Sequence, residues 1–286
     1  MAALQFRSDY AHTDEGRKGL KALIGDIFAV DITPLDRLGH DPSVIAFGWW
    51  QGDRLVANVS LYARQLWLKG ECVQAFGVQS VAVRPEWRGR GLFRSLMQHA
   101  LAYADRHAEL MILTTGTPDL YRPFGFHSLK EHRFHAKAAI PSRPPCNRQL
   151  SLADPADVTL VQSLFARRSP TSAIAAATDH PALFMLKAWL TPEIAVMHLP
   201  EHDAVVAVDG LDQDTLMLLD VVAAKIPTLD AIVAALGFAR QSVDIRLTPD
   251  IICPSAKRGE TVENGHMLRG LFPLQQDAII FTQMHI

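Results

Sequence analysis

The sequence has few cysteines and no surplus of one charge. Cys72, Cys146 and Cys253 are far apart and show no paired spacing, so neither a zinc site nor a disulfide framework is indicated. The 28 lysines and arginines nearly balance the 30 aspartates and glutamates. This balance argues against a general nucleic-acid-binding surface, although it leaves room for a local basic patch. We therefore expect no nucleic acid among the partners.

Long apolar runs are also lacking. No run approaches the ~18 apolar residues of a membrane-spanning helix, and the N-terminal stretch MAALQFRSDYAHTDEGRK has no apolar signal core. We expect a soluble protein in the reducing cytoplasm, with no membrane partner. The 286 residues, 49% of them hydrophobic, are enough for one large or two ordinary domains.

What the sequence does contain is a strand, a glycine-containing turn and a helix start within residues 78–96. Residues 78–83 predict a short buried strand, which Pro85 ends because proline cannot donate to a sheet ladder. A turn with two glycines follows, and apolar residues recur at helical spacing from Leu92. The first amides of a helix lack internal partners and attract negative charge, while glycines let the backbone approach a phosphate. The stretch therefore predicts a pyrophosphate-binding turn.

The glycine spacing separates this turn from two common phosphate-binding motifs. It does not fit G-x-G-x-x-G, because Arg94 stands where the third glycine would lie, and no G-K-[ST] triplet closes it. Arg88-x-x-Gly91-x-Phe93 instead resembles the R/Q-x-x-G-x-G/A acetyl-CoA motif of the GNAT superfamily of N-acetyltransferases. Phe93 departs from that motif, which usually has glycine or alanine there. An ordinary turn between a strand and a helix is the alternative interpretation.

A second signature lies downstream. Tyr121 precedes Gly125 by four residues in a Gly125-Phe126 pair, after a strand predicted at residues 110–114. This arrangement is similar to the second signature of the same superfamily. Because both signatures occur in the family's order, residues 78–126 are identified as resembling a GNAT catalytic region.

The resemblance implies that acetyl-CoA is the cosubstrate. It also implies that the strand at residues 81–83 splays from its neighbour and pairs its backbone with the pantetheine arm, while the amides of residues 88–93 hold the pyrophosphate. An ordinary central strand is the alternative. The cofactor-binding residues predicted in this way are Val81, Ala82, Val83, Arg88, Gly89, Arg90, Gly91, Leu92 and Phe93.

Tyr121 is the candidate catalytic residue. A phenol with a pKa of about 10 is protonated at pH 7 and can give a proton to a departing thiolate. The resemblance matches Tyr121 to the family's proton-donating tyrosine. The alternative is a core tyrosine packed behind Phe124 and Phe126.

The sequence does not reveal the general base. Many superfamily members have a glutamate on the strand before the turn, whereas this sequence has Gln74, Gln79 and Ser80 there. His127 could titrate near neutrality. Resemblance to the enhanced-intracellular-survival acetyltransferases implies the terminal carboxylate, here that of Ile286. Water, His127 and this carboxylate stay open as alternatives.

The order of predicted elements is repeated along the chain. Each half has helices, a meander, a helix and a strand, with a proline-rich stretch between the halves. We predict an α/β (α+β) fold of tandem GNAT-like units, each a mixed, mostly antiparallel sheet flanked by helices. The predicted domains are a catalytic one at residues 1–137, a linker at 138–150 and a degenerate second one at 151–286, with its last strand at 278–284. This order resembles the tandem enhanced-intracellular-survival type, without its third, sterol-carrier-like domain, for which the chain is too short.

These features predict an acetyl-CoA-dependent N-acetyltransferase that acts on a primary amine of a small molecule or peptide. The alternative is a non-catalytic acyl-CoA-binding sensor or scaffold, because no base is evident and Phe93 departs from the motif. An aromatic set is either a wall of the acceptor site or part of the core: Trp49, Trp50, Tyr62 and Trp67. No metal is predicted. The acceptor and the oligomeric state, a homo-oligomer included, are left open.

Overall fold

The structure is a computed structural model that describes residues 3–139, 144–178, 180–274 and 278–285. Its strands are β1 (Leu4–Ser8), β2 (Ile45–Gln51), β3 (Arg54–Leu68), β4 (Glu71–Val83), β5 (Leu110–Thr114), β6 (His127–Ser128), β7 (Glu131–Lys137), β8 (Arg148–Gln149), β9 (Ala175–Ala177), β10 (Ala195–Leu199), β11 (Ala204–Asp209), β12 (Thr215–Ala223), β13 (Ser242–Ile245), β14 (Lys257–Val262) and β15 (His266–Gly270). Its α-helices are α1 (Asp14–Phe28), α2 (Leu35–Leu38), α3 (Leu92–Ala104), α4 (Pro155–Phe165), α5 (Pro181–Leu190) and α6 (Leu229–Leu236).

The chain divides into two compact units, and neither is continuous in sequence. Unit 1 consists of Met1–Arg64, Gln74–Leu129 and Gly265–Phe272, and unit 2 of Gln65–Val73, Lys130–Asn264 and Pro273–Ile286. The units do not follow the predicted boundary at residues 138–150, because each takes segments from both sides of it. Of the predicted linker, residues 140–143 lie outside the described residues, and β8 pairs with β10 rather than forming a free connection. That one unit is catalytic and the other degenerate stays a prediction.

The sheet of unit 1 has the strand order β1-β2-β3-β4-β5-β15-β6. The β4–β5 pair is parallel, whereas β1–β2, β2–β3, β5–β15 and β15–β6 are antiparallel. Helix α3 buries the apolar face that its sequence predicts against this sheet, through Leu92, Leu96, Met97, Ala100 and Ala104.

Helix α1 starts where its sequence predicts. The hydroxyl of Thr13 accepts a hydrogen bond from the Gly16 amide at 3.0 Å and so caps the helix, and Asp14 and Glu15 complement the dipole in the first turn. Its buried residues Leu20 and Leu23 join a small cluster around Trp50. The helix therefore covers part of the sheet of unit 1.

Unit 2 has its own sheet and core. Its strand order is β14-β7-β13-β12-β11-β10-β8, with β12–β13 parallel and its other pairs antiparallel. Helix α6 has no glycine turn before it, and the Thr228 hydroxyl accepts from the Ala231 amide at its start. The Leu229 amide donates to the Ile252 carbonyl at 2.9 Å. Two of the amides that an anion would need are thus already occupied.

The predicted last strand at residues 278–284 is wrong. Within its described residues the segment has no strand, and a short 3₁₀ turn lies at Gln283–His285. The reason lies in its partners. The Ile280 amide donates to the Thr248 hydroxyl at 3.0 Å and the Phe281 amide to the Glu131 carboxylate at 2.7 Å, so side chains satisfy this backbone instead of a ladder.

The predicted fold class is confirmed, because both sheets are mixed and mostly antiparallel, with helices beside them. Among the described helices, none combines the length and the apolar character that crossing a membrane would need.

Candidate functional site

The site lies in unit 1 where two parallel strands separate. The β4–β5 pairs are Ala75–Leu110, Phe76–Met111 and Gly77–Ile112, and beyond them the two strands continue without pairing to each other. A cavity of about 950 Å³ opens there, between residues 78–83 on one side and residues 113–117 on the other. The divergence leaves backbone groups of β4 available on the cavity side.

A helix start closes one end of the cavity. Gly89 and Gly91 have φ of +74° and +75°, a conformation that side chains with a Cβ rarely adopt. A Cβ at either position would meet nothing within 4 Å, so the space in front of the turn is open. No described side chain caps helix α3, whose first amides therefore face outward without an internal partner. This end of the cavity suits an anion.

The four arginines near the turn differ in their burial and in their contacts. Arg88 and Arg94 line the cavity, and neither is paired with a described carboxylate. Arg90 does not line it, since its guanidinium lies 4.6 Å above the Trp87 ring and donates to the Glu86 carbonyl. Arg84 is buried and pairs with Asp26 at 2.5 Å. The positive charge of the cavity thus comes from Arg88 and Arg94.

The remaining predicted cofactor-binding residues all line the same cavity: Val81, Ala82, Val83, Gly89, Gly91, Leu92 and Phe93.

Tyr121 lines the cavity beside them. It lies between two short 3₁₀ turns, Pro118–Leu120 and Arg122–Phe124, and burial raises the pKa of its phenol to about 12. Its ring meets Phe93 and Phe126 edge-on, with centroids 5.8 and 6.1 Å away. Among the described residues none is hydrogen-bonded to its hydroxyl. The Tyr121 ring is thus packed, as the alternative interpretation of a core tyrosine predicted, but the residue also lines the cavity. Its catalytic role stays a prediction.

The candidate bases do not gather in this cavity. Gln79 and Ser80 line it, whereas Gln74 and His127 do not. His127 is an exposed residue of β6. The carboxylate of Ile286 lies outside the described residues.

The aromatic residues that could have formed an acceptor wall do not line this cavity either. Trp50 and Tyr62 are buried in the core of unit 1, and Trp49 packs partly against it. In unit 2, the Trp67 indole donates to the Thr178 hydroxyl at 3.1 Å. The tryptophan that does line the cavity is Trp87, which the sequence analysis did not single out.

The sequence analysis also missed the backbone conformation of Ser80. This residue lies inside β4 with φ of +53°, the left-handed region that a non-glycine residue enters rarely. Its sequence context is an ordinary apolar strand, so no local signal announces this conformation.

Comparisons with known proteins point in one direction. Residues 31–128 match the family model of an acetyltransferase (GNAT) domain. Eis1 from Mycobacterium abscessus is 16% identical with a TM-score of 0.60, over 94% of this chain and 73% of that one. A probable N-acyltransferase from Enterococcus faecalis V583 is 18% identical with a TM-score of 0.60, over 94% and 73%. A GCN5-related N-acetyltransferase from Kribbella flavida is 22% identical with a TM-score of 0.54, over 94% and 72%.

At these identities the structural likeness shows a common fold. No curated relative matches the sequence. Residues 31–128 therefore match the GNAT acetyltransferase family, as the resemblance of the two motifs predicted, and the chain shares the fold of these proteins along most of its length.

Proposed function

We propose that this chain is an acetyl-CoA-dependent N-acetyltransferase that acts on a primary amine of a small molecule or peptide. One observation carries the proposal. The cavity between the diverging strands brings together a helix start that no described side chain caps, two arginines that pair with no described carboxylate, and Tyr121. The GNAT family match over the same residues agrees with it.

The negative charge of coenzyme A suits the end of this cavity that Arg88 and Arg94 line. Its pyrophosphate would lie against the amides at the start of α3, with Arg88 and Arg94 as counter-charges. Its pantetheine arm would run along residues 81–83, whose backbone has no partner from β5. The thioester would then reach toward Tyr121.

The reaction moves an acetyl group from sulfur to nitrogen. The lone pair of a neutral amine attacks the thioester carbonyl carbon, a C–N bond forms and the C–S bond breaks, with its electron pair left on sulfur. The nitrogen loses a proton and the thiolate gains one, so the products are an amide and coenzyme A. Binding both reactants in one cavity makes this step effectively intramolecular.

The raised pKa of Tyr121 specifies its part in that step. Its phenol, with a pKa of about 12, stays protonated throughout the physiological range. The hydroxyl therefore serves as a hydrogen-bond donor that stabilises charge on the departing sulfur, and the proton that finally neutralises it originates from the amine.

A thiol-release assay tests the proposal. Acetyl-CoA is incubated with the protein and a panel of aliphatic, aromatic and peptide primary amines, and acetylated products are identified by mass. We expect release of coenzyme A that depends on one class of amine. Binding of acetyl-CoA without transfer to any amine would replace the proposal by the acyl-CoA sensor, and absence of binding would reject both.

Unit 2 would be the degenerate partner of a tandem enzyme, since its helix α6 starts with a side-chain cap and no glycine turn. The protein would act in the cytoplasm, and gel filtration would decide between a monomer and a homo-oligomer.

A further inference from the structure

The feature that the reaction scheme leaves unexplained is the backbone of Ser80. Its left-handed φ of +53° places a residue with a Cβ in a conformation that strands avoid. The residue lies in the part of β4 beyond its pairing with β5 and lines the cavity, together with Gln79 and Val81. We call this left-handed residue within the strand the Ser80 bulge, and such a conformation persists only where surrounding contacts hold it.

A fully buried asparagine makes that contact. The Asn58 side-chain amide donates to the Ser80 carbonyl at 2.7 Å and to the Ser60 hydroxyl at 3.0 Å. Asn58 lies on β3, the neighbour of β4 in the sheet. A buried side chain thereby satisfies the Ser80 carbonyl.

A buried tyrosine fixes the asparagine in turn. The Tyr10 hydroxyl donates to the Asn58 side-chain carbonyl at 2.5 Å, and the Tyr10 ring packs edge-on against Trp50 with centroids 5.1 Å apart. A Cβ at Gly48 would lie 2.1 Å from the Tyr10 hydroxyl, so glycine makes room for it. Because burial raises the pKa of Tyr10, its hydroxyl keeps its proton and the amide keeps its orientation.

We infer that Asn58 is a positioning residue, which holds the Ser80 bulge so that the backbone of residues 79–81 faces the acyl end of the bound thioester. The inference rests on the proposed function. Without the Asn58 bond, the strand would relax toward ordinary extended φ, and the backbone and side chains of residues 79–81 would turn relative to the cavity. The proposed phosphate-binding turn at Gly91 lies further along the chain, and we expect its conformation to be unchanged.

The test compares Asn58→Leu, which keeps similar volume but cannot donate, with Ser60→Ala, which removes only the other branch of the network. We expect Asn58→Leu to lower kcat at least tenfold while the Kd for coenzyme A changes less than twofold. Ser60→Ala should leave kcat near the parental value. Adding Ser80→Gly to Asn58→Leu should recover part of the loss, because glycine adopts positive φ without help.

A merely structural role would give a different pattern. If kcat in Asn58→Leu matched the parent, or fell no more than in Ser60→Ala, the inference would be overturned. It would also be overturned if coenzyme affinity and thermal stability fell with kcat and Ser80→Gly recovered none of them. Should Asn58→Leu not fold, Tyr10→Phe removes only the outer hydrogen bond, and it should lower kcat by a few fold at unchanged coenzyme affinity; an unchanged kcat there counts against the inference.

Assays of the parent protein distinguish a failure of the proposed function from a failure of the inference about Asn58. If the parent transfers no acetyl group to any amine, the proposed function fails independently of Asn58. The inference is then tested by calorimetry with acetyl-CoA and coenzyme A. Asn58→Leu should abolish any difference between the two affinities, and an unaltered difference would overturn it.

Discussion

The ring of Phe93 meets the ring of Tyr121 edge-on, with centroids 5.8 Å apart and an interplanar angle of 85°. Phe93 is the residue that departs from the acetyl-CoA motif, where glycine or alanine is usual. It also packs edge-on against Phe124, at 5.5 Å. This departure from the motif changes the packing of the site, because the Phe93 ring contacts the Tyr121 ring and helps to orient it in the cavity.

Replacing Phe93 should loosen the packing around the Tyr121 ring. An edge-to-face pair contributes about 0.5–1.5 kcal/mol beyond buried area, so we expect Phe93→Ala to lower kcat by up to about tenfold. Phe93→Leu retains more volume and should lose less. The affinity for coenzyme A should change little in both variants, because we propose that backbone amides bind its phosphates. Steady-state kinetics with parallel calorimetry checks this, and a drop in affinity larger than the drop in kcat would contradict it.

Tyr121→Phe removes the hydroxyl and keeps the ring with its packing. We expect kcat to fall by about 10²–10³-fold, typical of losing one donor to a developing charge. Acetyl-CoA affinity and thermal stability should stay near the parental values, since no described group is hydrogen-bonded to this hydroxyl. Thermal unfolding measured beside the kinetics is the control. Near-parental turnover on the true acceptor would remove Tyr121 from the mechanism.

The pH profile of kcat should have no falling limb between pH 7 and pH 10. The Tyr121 hydroxyl donates only while protonated, and burial raises its pKa to about 12, so the donor is lost only at more alkaline pH. A solvated phenol would begin to lose its proton near pH 10. The measurement needs an acceptor saturated at each pH, with stability verified over the range. A decrease in kcat near pH 9 that is absent in Tyr121→Phe would show that the pKa of Tyr121 is lower than its burial implies.

Acid should weaken unit 2 through Asp157. The hydrogen bond from Arg148 is the main cause that lowers the pKa of this buried carboxyl, against the effect of burial, and the Ser151 amide adds a second bond at 2.8 Å. A carboxyl with a lowered folded-state pKa stabilises the fold above its unfolded pKa of about 3.9 and loses this effect as pH falls through the folded value. Urea unfolding of the parent and of Asp157→Asn should thus differ most near pH 7 and converge toward pH 2–3. A constant difference would contradict the assignment.

The sequence predicted those parts of the site that depend on local pattern. Helix α3 follows from its apolar spacing and from Gly91, and the strand before it from the apolar run that Pro85 ends. These two elements form the end of the cavity where we propose that the pyrophosphate binds. The position of Tyr121 beside them was implied by the order of the two motifs.

The other parts depend on long-range contacts that leave no local signal. Strand β15 enters the sheet of unit 1 between β5 and β6, although it lies more than a hundred residues along the chain from either. The bulge at Ser80 depends on Asn58 and Tyr10, which precede it by many residues. The segment at residues 278–284 has the composition of a strand, but its amides bond to the side chains of Thr248 and Glu131. Pairing choices of this kind are settled by the assembled sheet.

We propose that the turn at Gly91 holds the phosphates of coenzyme A, and calorimetric titration of coenzyme A measures this contact. Gly91→Val puts a side chain where the backbone must touch the ligand. Gly52→Val is the matched control, because Gly52 also has positive φ, +62°, and open space around it, but lies in the turn between β2 and β3. We predict that Gly91→Val loses affinity by about tenfold or more, equivalent to about 1.4 kcal/mol, while Gly52→Val binds like the parent. Equal affinities in all three proteins would contradict the account, because the phosphates would then bind elsewhere.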